Sequence, residues 1–257
     1  MPTYRLVVEY DGSRFHGLQF QPTLRTIAGE LERVLTRIFA EPVKITAAGR
    51  TDAGVHATGQ VISFSAARAF PAERLAPAIN GNTPADLKVR DATQVGEDFS
   101  ARFDALERVY DYLILNRPSP SAVWTLRAWH VSRPLDEALF ARSASPLLGE
   151  HDFVAFCGEF PERGGTVREL RAIDVVRSGE LLRVTVRGNA FLHHMVRVLV
   201  GTLVGSATGY RDPDHAARAL AARDRTAAGV TAPAHGLYLA GVRYADFDSY
   251  RPVTVAP

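Results

Sequence analysis

Cysteine is almost absent from this chain, because Cys157 is the single one among 257 residues. A disulfide framework and a thiolate metal site are thereby excluded, and the composition suits the reducing cytoplasm. Long apolar runs are missing as well, since the longest one, residues 191–205, is interrupted by His193, His194 and Arg197. A membrane span needs about 20 predominantly apolar residues, so we predict a buried core helix here and no membrane association. No charged-then-apolar signal segment precedes the first strand-like run, and we expect a cytoplasmic protein.

Lysine is the second scarce residue. Only Lys44 and Lys88 occur, so 28 of the 30 basic residues are arginines, and the net charge is +2. That charge does not by itself indicate a nucleic-acid partner, although arginine binds phosphates bidentately and stacks on bases. A genome biased toward arginine codons would give the same composition. RNA binding would therefore require that folding collects the arginines on one surface.

Metal-ligand and phosphate-loop motifs are also missing. The chain has eight histidines, but no His-Glu-x-x-His or Cys-x-x-Cys spacing. His193 and His194 are adjacent, and on a helix they would point about 100° apart. No G-x-G-x-x-G follows a strand. We therefore expect neither a metal ion nor an organic cofactor.

Hydrophobic periodicity divides the chain into two halves with a similar order of elements. The first half has the split βαβ order, β-α-β-β-α-β, and the second repeats it approximately without a sequence repeat. We predict an α+β fold with one domain over residues 1–100 and a second over 105–250. The predicted elements are strands 3–10, 42–48, 58–65, 87–95, 107–115, 171–178, 181–188 and 237–244, and helices 24–39, from 71, 134–148, 191–207 and 213–222. The tail from residue 251 has no partner pattern, and we expect it to be loose.

The most informative stretch is residues 47–60, AAGRTDAGVHATGQ. Gly49 and Gly54 bracket Arg50 and Asp52 on a short turn between strand-like flanks. Glycine tolerates positive φ and lets another molecule approach the backbone, and functional side chains are often carried by such loops. The plain alternative is an aspartate that only hydrogen-bonds its own turn. Spacing alone leaves both interpretations open.

The whole string AGRTDAGVHATGQV resembles the catalytic loop of the tRNA pseudouridine synthase A family. Two positions depart from that family's pattern, because Leu18 stands where tryptophan is usual and Val198 where asparagine is common. These departures concern local packing or RNA contacts rather than the Arg50 and Asp52 loop. Further blocks similar to the family follow in its order from residue 4 to about 244: YRLVVEYDG with GLQFQ, FSARF with RVYDYLI, HDFVAFC, FLHHMVRVLVGT and TAPAHGLYL.

The resemblance implies a fold, a reaction and a set of catalytic residues. The fold would be that of the pseudouridine synthases, with two ferredoxin-like halves whose antiparallel sheets form a central cleft. The reaction would isomerise uridine to pseudouridine at positions 38–40 in the anticodon arm of tRNA, which requires a carboxylate beside an extruded base. Asp52 would be that carboxylate, and Arg50 would displace the target base. We expect Arg197, on an otherwise apolar helix, to pair with Asp52, because an unpaired buried charge is expensive.

The resemblance also implies contacts with the substrate. Tyr110 would stack on the uracil and Leu237 would flank the flipped base, although ordinary strand packing is the plain alternative for both. A surface ion pair that tethers the loop is the alternative for Arg50. Weaker candidates for RNA contact are Arg14 and His16 after the first strand, and Arg168 and Arg187 in the basic stretch 163–197. A solvated sheet face would explain that stretch equally well.

Partners and competing functions follow from the same residues. The family resemblance implies tRNA, held at its anticodon arm and elbow, and a homodimer, since family members bind tRNA across two subunits and one chain of 28.1 kDa is small for that task. No other protein partner is indicated. A non-catalytic RNA-binding protein of ferredoxin-like fold stays open, and it would not need Asp52. A glycosidase is the third class, but it normally uses two carboxylates at one bond, and this loop offers one beside an arginine.

Overall fold

A computed structural model describes residues 1–161 and 164–254 of the chain. They form two compact units. The first comprises Met1–Arg108 and Tyr238–Pro252, and the second comprises Val109–Leu237 and takes up the chain again at residue 253. The last strand therefore clusters with the first unit and not with the domain predicted over residues 105–250.

The helices and strands follow the predicted β-α-β-β-α-β order in both parts of the chain. Two short strands, Trp129–Val131 and Gly149–Asp152, have no counterpart among the predicted elements. In chain order the elements are β1 (Thr3–Tyr10), α1 (Ile27–Phe39), β2 (Thr46–Ala47), β3 (His56–Ser65), α2 (Ala72–Asn80), β4 (Leu87–Val95), β5 (Glu107–Asn116), β6 (Trp129–Val131), α3 (Glu137–Ala144), β7 (Gly149–Asp152), β8 (Val167–Ser178), β9 (Leu181–Gly188), α4 (Met195–Ala207), α5 (His215–Ala222) and β10 (Leu237–Arg243).

The strand predicted over 42–48 is reduced to the two residues of β2, and side chains of α1 explain the difference. The backbone N–H of Val43 donates to the Thr36 hydroxyl at 3.2 Å, and that of Ile45 donates to the Glu32 carboxylate at 3.2 Å. These donors are satisfied by a helix rather than by a neighbouring strand. The prediction of a seven-residue strand was therefore wrong.

The sheet of the first unit is centred on β1, which pairs antiparallel with β3 and β4. The free edge of β3 is shared, because β2 pairs antiparallel at Thr46↔Ser63 and β10 pairs parallel at Tyr238↔His56. The order β4-β1-β3-β2 is that of the split βαβ motif. Helix α1 covers one face, and its Phe39 ring lies 5.8 Å from the fully buried Tyr4.

The sheet of the second unit has the order β5-β9-β8-β7, with β6 parallel to β5. Helix α4 is the core helix predicted from the apolar run, since Val198, Leu199, Val200 and Leu203 are fully buried. Its neighbours include α3 and α5. Among the described residues, none of the helices has the length and apolarity that a membrane crossing requires.

The C-terminal tail is held by hydrogen bonds as far as Val253, although its sequence predicted a loose segment. The Arg251 N–H donates to the Ala240 carbonyl at 3.0 Å. The Val253 N–H donates to the Asp111 carboxylate at 2.9 Å, and the Val253 carbonyl accepts from Arg183 at 3.0 Å. Hydrogen bonds to residues far away in the sequence therefore hold the tail in place, and the sequence of the tail alone does not indicate them. Residues 255–257 lie outside the described part.

Candidate active site

The loop between β2 and β3, residues 48–55, carries Asp52 and is called the Asp52 loop below. Its beginning is fixed by side chains from other elements of the first unit. The Arg108 guanidinium donates twice to the Ala48 carbonyl, at 3.2 and 3.1 Å. The buried Gln60 amide on β3 donates to the Gly49 carbonyl at 2.8 Å. Hydrogen bonds to two consecutive carbonyls therefore fix the backbone that leads to Arg50 and Asp52.

The middle of the loop is anchored in the core by Thr51, which is 6% exposed. Its hydroxyl lies 2.8 Å from the hydroxyl of Tyr10, whose burial raises its pKa to about 12. The next residue, Asp52, is half-buried, and its carbonyl accepts the Val55 N–H at 3.2 Å. Gly54 supplies the φ of 80° that a type II turn requires at its third position. The buried Thr51 thus fixes the backbone directly before the half-buried Asp52.

The segment after β1, residues 11–18, packs directly against the Asp52 loop. An added Cβ at Gly12 would lie 1.9 Å from the Val55 carbonyl oxygen, so only glycine permits this approach. The Leu18 N–H donates to the Thr51 carbonyl at 3.0 Å. This bond uses backbone atoms, so the leucine that replaces the family's tryptophan leaves it intact.

An ion pair fixes both ends of that segment. Arg25 and Asp86 are joined by two hydrogen bonds of 2.9 and 2.7 Å, which lower the pKa of the Asp86 carboxyl. The Asp86 carbonyl accepts the Asp11 N–H at 3.0 Å, and the Arg25 carbonyl accepts the His16 N–H at 2.9 Å. The side chains of Arg14 and His16 are exposed on this braced segment. Two of the weaker RNA-contact candidates therefore lie on a rigid support beside the Asp52 loop.

His56, the residue that follows the loop, was not recognised from the sequence as a site residue. It is 1% exposed, and its Nδ1 accepts the Gly12 N–H at 3.1 Å and lies 3.3 Å from the Asp11 carboxylate. Its ring stacks on Tyr238 with centroids 4.6 Å apart. His56 and Gln60 lie within the string that carried the family resemblance. Only the folded structure shows that His56 accepts the Gly12 N–H and that Gln60 donates to the Gly49 carbonyl. Arg50 is exposed on the loop.

In the second unit, the tyrosines of β5 have different surroundings. Tyr110 is 7% exposed, and its ring meets that of Phe191 edge-on at 5.0 Å. The Tyr112 hydroxyl donates to the Pro233 carbonyl at 2.7 Å, and burial raises the pKa of Tyr112 above its ordinary value. An added Cβ at Gly236 would lie 2.6 Å from the Tyr112 ring. Tyr112 therefore fixes the segment that leads into Leu237.

Arg197 lies on the first turn of α4 and is half-buried. Its Nε donates to the Ala232 carbonyl at 2.8 Å, and the Ala232 N–H donates back to the Arg197 carbonyl at 3.1 Å. The pKa of His235 is lowered, first by burial and also by the positive charge of Arg197. Leu237, at the start of β10, is 5% exposed. Arg197 thus belongs to the surroundings of the 232–237 segment, and its predicted pairing with Asp52 stays a prediction.

The two adjacent histidines do not lie on a helix, so the angle of about 100° expected between them was wrong. Helix α4 begins at Met195, and His194 has a φ of 59° in the left-handed region. This turn of the backbone stacks the rings of His193 and His194 with centroids 3.7 Å apart. The expectation that the protein needs no metal rests on the missing ligand motifs and stays a prediction.

Arg168 and Arg187 of the basic stretch differ in their hydrogen bonds and electrostatic surroundings. The Arg168 guanidinium donates to the Val167 carbonyl at 2.6 Å, and burial lowers the pKa of Arg168. Arg187 is half-buried on β9. Burial raises the pKa of Asp111, and the positive charge of Arg187 opposes that rise. Arg163 lies outside the described residues. Contact of Arg168 or Arg187 with RNA stays a prediction.

Known proteins resemble the chain over almost its whole length. A family model described as tRNA pseudouridine synthase matches residues 6–104 and 144–245. A protein of Paramagnetospirillum magneticum is 45% identical over 95% of this chain and 96% of its own length. One from Halalkalibacterium halodurans is 43% identical over 90% of this chain and 89% of its own. A third, from Rhodopseudomonas palustris strain HaA2, is 42% identical over 95% and 100%. All three are called tRNA pseudouridine synthase A.

Among solved structures, a chain of a Cbf5-Nop10-Gar1 complex aligns with 78% of this chain and 54% of its own, at 13% identity and a TM-score of 0.32. The sequence matches are far stronger. The two ranges of the family model contain the Asp52 loop and every other candidate site residue except Tyr110. The predicted family and the α+β pseudouridine synthase fold are confirmed. The chain belongs to the tRNA pseudouridine synthase family.

Proposed function

We propose that this protein isomerises uridine to pseudouridine at positions 38–40 in the anticodon arm of tRNA. The observation that carries the proposal is the Asp52 loop, a rigidly held carboxylate support within the first range matched by the family. The non-catalytic RNA-binding alternative is not favoured, because all three relatives described above are named as tRNA pseudouridine synthases.

The reaction breaks the C1′–N1 bond of uridine and forms a C1′–C5 bond, with the proton at C5 released and N1 protonated. No electrons are gained or lost overall. Asp52 would supply the carboxylate, which attacks C6, attacks C1′ or removes a ribose proton. Each route needs a carboxylate that is accessible and held in place, since orientation can contribute about 7–11 kcal/mol to lowering a barrier. Asp52 is half-buried, so part of it remains accessible, and the buried Thr51 fixes the backbone beside it.

The other residues would act on the base and on the sugar-phosphate backbone. Arg50, exposed on the same loop, would take the place of the extruded base. Tyr110 would stack on the uracil and Leu237 would flank it, while Arg197 would keep the Asp52 carboxylate ionised. These roles rest on the family resemblance together with the accessible position of Arg50.

RNA contact is best supported for the exposed side chains of Arg14 and His16, because their segment is braced against the Asp52 loop. Arg168 and Arg187 are weaker candidates, since both are partly buried. Because arginine–phosphate contacts release counterions, affinity should fall steeply with salt. We further propose a cytoplasmic homodimer that holds the tRNA elbow and anticodon arm. A fully active monomer in light scattering would contradict the dimer.

The test removes the carboxylate and keeps the loop. Asp52→Asn and Asp52→Ala should abolish pseudouridine formation in an unmodified tRNA transcript while tRNA affinity changes little, since affinity is spread over many phosphate contacts. Asp98→Asn, the same change at an exposed aspartate of the first unit, is the matched control and should be fully active. Pseudouridine formed by both Asp52 variants at the wild-type rate would disprove the proposal. The alanine variant also guards against deamidation of the new asparagine.

A further inference from the structure

The second unit contains a cavity of about 270 Å³ that no step of the proposed reaction uses. Leu115 and Ala128 contribute its apolar base, and both tryptophans of the chain line it. Trp124 and Trp129 are half-buried, whereas Leu115 is 2% exposed and Ala128 is 4% exposed. The two half-buried tryptophans therefore line the cavity together with two buried apolar side chains.

A well-braced loop forms most of this cavity. After β5, residues 117–128 run outward and return as β6, which pairs parallel with β5 at Leu115↔His130. The His130 Nε2 lies 2.8 Å from the Arg117 carbonyl, and the Arg117 guanidinium donates to the Pro120 carbonyl at 3.0 Å. Compact loops whose ends lie close together and whose own groups hold them are frequently functional. The cavity walls are thus preformed.

The polar groups of the cavity suit a flat heterocycle. His235 lines it and forms a hydrogen bond with the Ala128 backbone; burial, the larger effect, lowers the pKa of this residue and favours the neutral imidazole. Ser121 and Thr125 add hydroxyls, each with acceptor capacity. Ligand pockets span roughly 300–1,000 Å³, so this one is at the small end and matches a single base rather than a longer segment.

The charge of the loop indicates an anionic ligand. Residues 117–133 contain Arg117, Arg127 and Arg133 and no acidic residue. The side chains of Arg127 and Arg133 are exposed, and Arg117 forms an ion pair with Glu180 at 2.8 Å. Aromatic side chains with arginines nearby are the combination that binds unpaired nucleotides, by stacking on the base and contacting the phosphate.

The cavity is also close in the fold to a residue assigned to the target base. His235 belongs to the short turn Ala234–Gly236 that leads directly into Leu237. Yet eight of the nine lining residues fall within 105–143, outside the two ranges that the family model matches. Apart from His235, the cavity therefore lies outside the ranges of the family model, and the candidate residues of the proposed reaction do not line it.

We propose that this cavity binds a second, unpaired base of the tRNA substrate, stacked on Trp124 and Trp129 with its edge toward His235. The proposal rests on the function proposed above, because it takes the ligand to be the same RNA. Holding a neighbouring nucleotide there would fix the RNA strand while the target base is extruded.

The tryptophans make the test specific, because Trp124 and Trp129 are the only two in the chain and both line the cavity. Titration of the Asp52→Ala protein with an unmodified tRNA transcript should quench tryptophan fluorescence in parallel with binding. Trp124→Ala should weaken tRNA binding about 5- to 150-fold, the effect of losing one stacked base. Trp124→Phe should restore most of the affinity, since it keeps an aromatic face. Thermal unfolding and circular dichroism establish that both variants are folded.

The matched control is Val123→Ala, which alters the neighbouring exposed side chain, one that does not line the cavity. Equal affinities of Trp124→Ala and Val123→Ala for tRNA, or unchanged fluorescence at saturating tRNA, would overturn the proposal. Fluorescence that depends on protein concentration and not on tRNA would assign the cavity to a protein interface and would also overturn it. Pseudouridine formation by the wild-type protein, measured with the same transcript, separates failure of this proposal from failure of the proposed function.

Discussion

Gly12→Ala is the sharpest test of whether the segment after β1 positions the Asp52 loop. Gly12 is not among the glycines with positive φ, so alanine can adopt its backbone conformation. The obstacle is contact alone, because the new Cβ would lie 1.9 Å from the Val55 carbonyl oxygen and 2.5 Å from its carbon. Both atoms belong to the backbone and cannot rotate away. The Asp52 loop and the segment must therefore move apart.

The size of the effect follows from that distance. Restoring an ordinary contact of 3.4 Å requires a displacement of about 1.5 Å at Val55, three residues after Asp52. A misplacement of about 1 Å can cost about 100-fold in rate, so kcat should fall by about that factor. Forced overpacking costs about 1–3 kcal/mol, and each kcal/mol lowers the Tm of a chain of this size by about 2–4 °C. The bond from the Gly12 N–H to His56 would also be strained.

Single-turnover pseudouridine formation at 25 °C, well below the Tm of the variant, measures the rate independently of unfolding. Gly81→Ala is the matched control, since Gly81 has a helical φ of −69° and the nearest atom to an added Cβ lies at 3.5 Å. It should keep full activity and gain about 0.4–1 kcal/mol from the reduced entropy of the unfolded chain. A Gly12→Ala protein with the wild-type rate would refute the positioning role of the segment.

Three further predictions concern the same site. Asp86→Asn should lower the free energy of unfolding by about 0.2–1 kcal/mol at pH 7. Arg25 holds the pKa of Asp86 below its ordinary value, so the stability difference between the two proteins should vanish as the pH falls through the folded-state pKa. Urea titrations at several pH values measure it. A stability difference that does not change with pH would contradict the prediction. Gln60→Leu should reduce kcat because the Gly49 carbonyl loses its hydrogen-bond donor. The loss of stability should stay near the lower end of about 1–3 kcal/mol, since the Gln60 Oε1 has no hydrogen-bond partner among the described residues that the leucine would remove. Unchanged kcat would remove Gln60 from the positioning residues. EDTA should leave activity on a metal-independent stem-loop RNA unaltered, and recovery by zinc after its loss would contradict metal independence.

Local pattern was sufficient for most of the fold. The apolar spacing of α1 and the β-branched runs of β1, β3 and β4 predict elements close to the observed ones, because burial of one face leaves a periodic mark on the sequence. The string around Asp52 is also local, and it indicated both the family and the catalytic candidate. Gly54, at the end of that short turn, has the positive φ of 80° that glycine tolerates.

Tertiary structure decided whatever depends on partners distant in the chain. The two-residue length of β2 results from side chains of α1, and the clamp on the segment after β1 joins Arg25 to Asp86. The parallel pairing of β10 with β3 brings Tyr238 onto His56, 182 residues earlier. Likewise, the cavity needs Trp124 and His235 from separate segments. Periodicity records whether a side chain is buried, but it does not record which distant group buries it or satisfies its hydrogen bonds, so only folding determines how Asp52 is held.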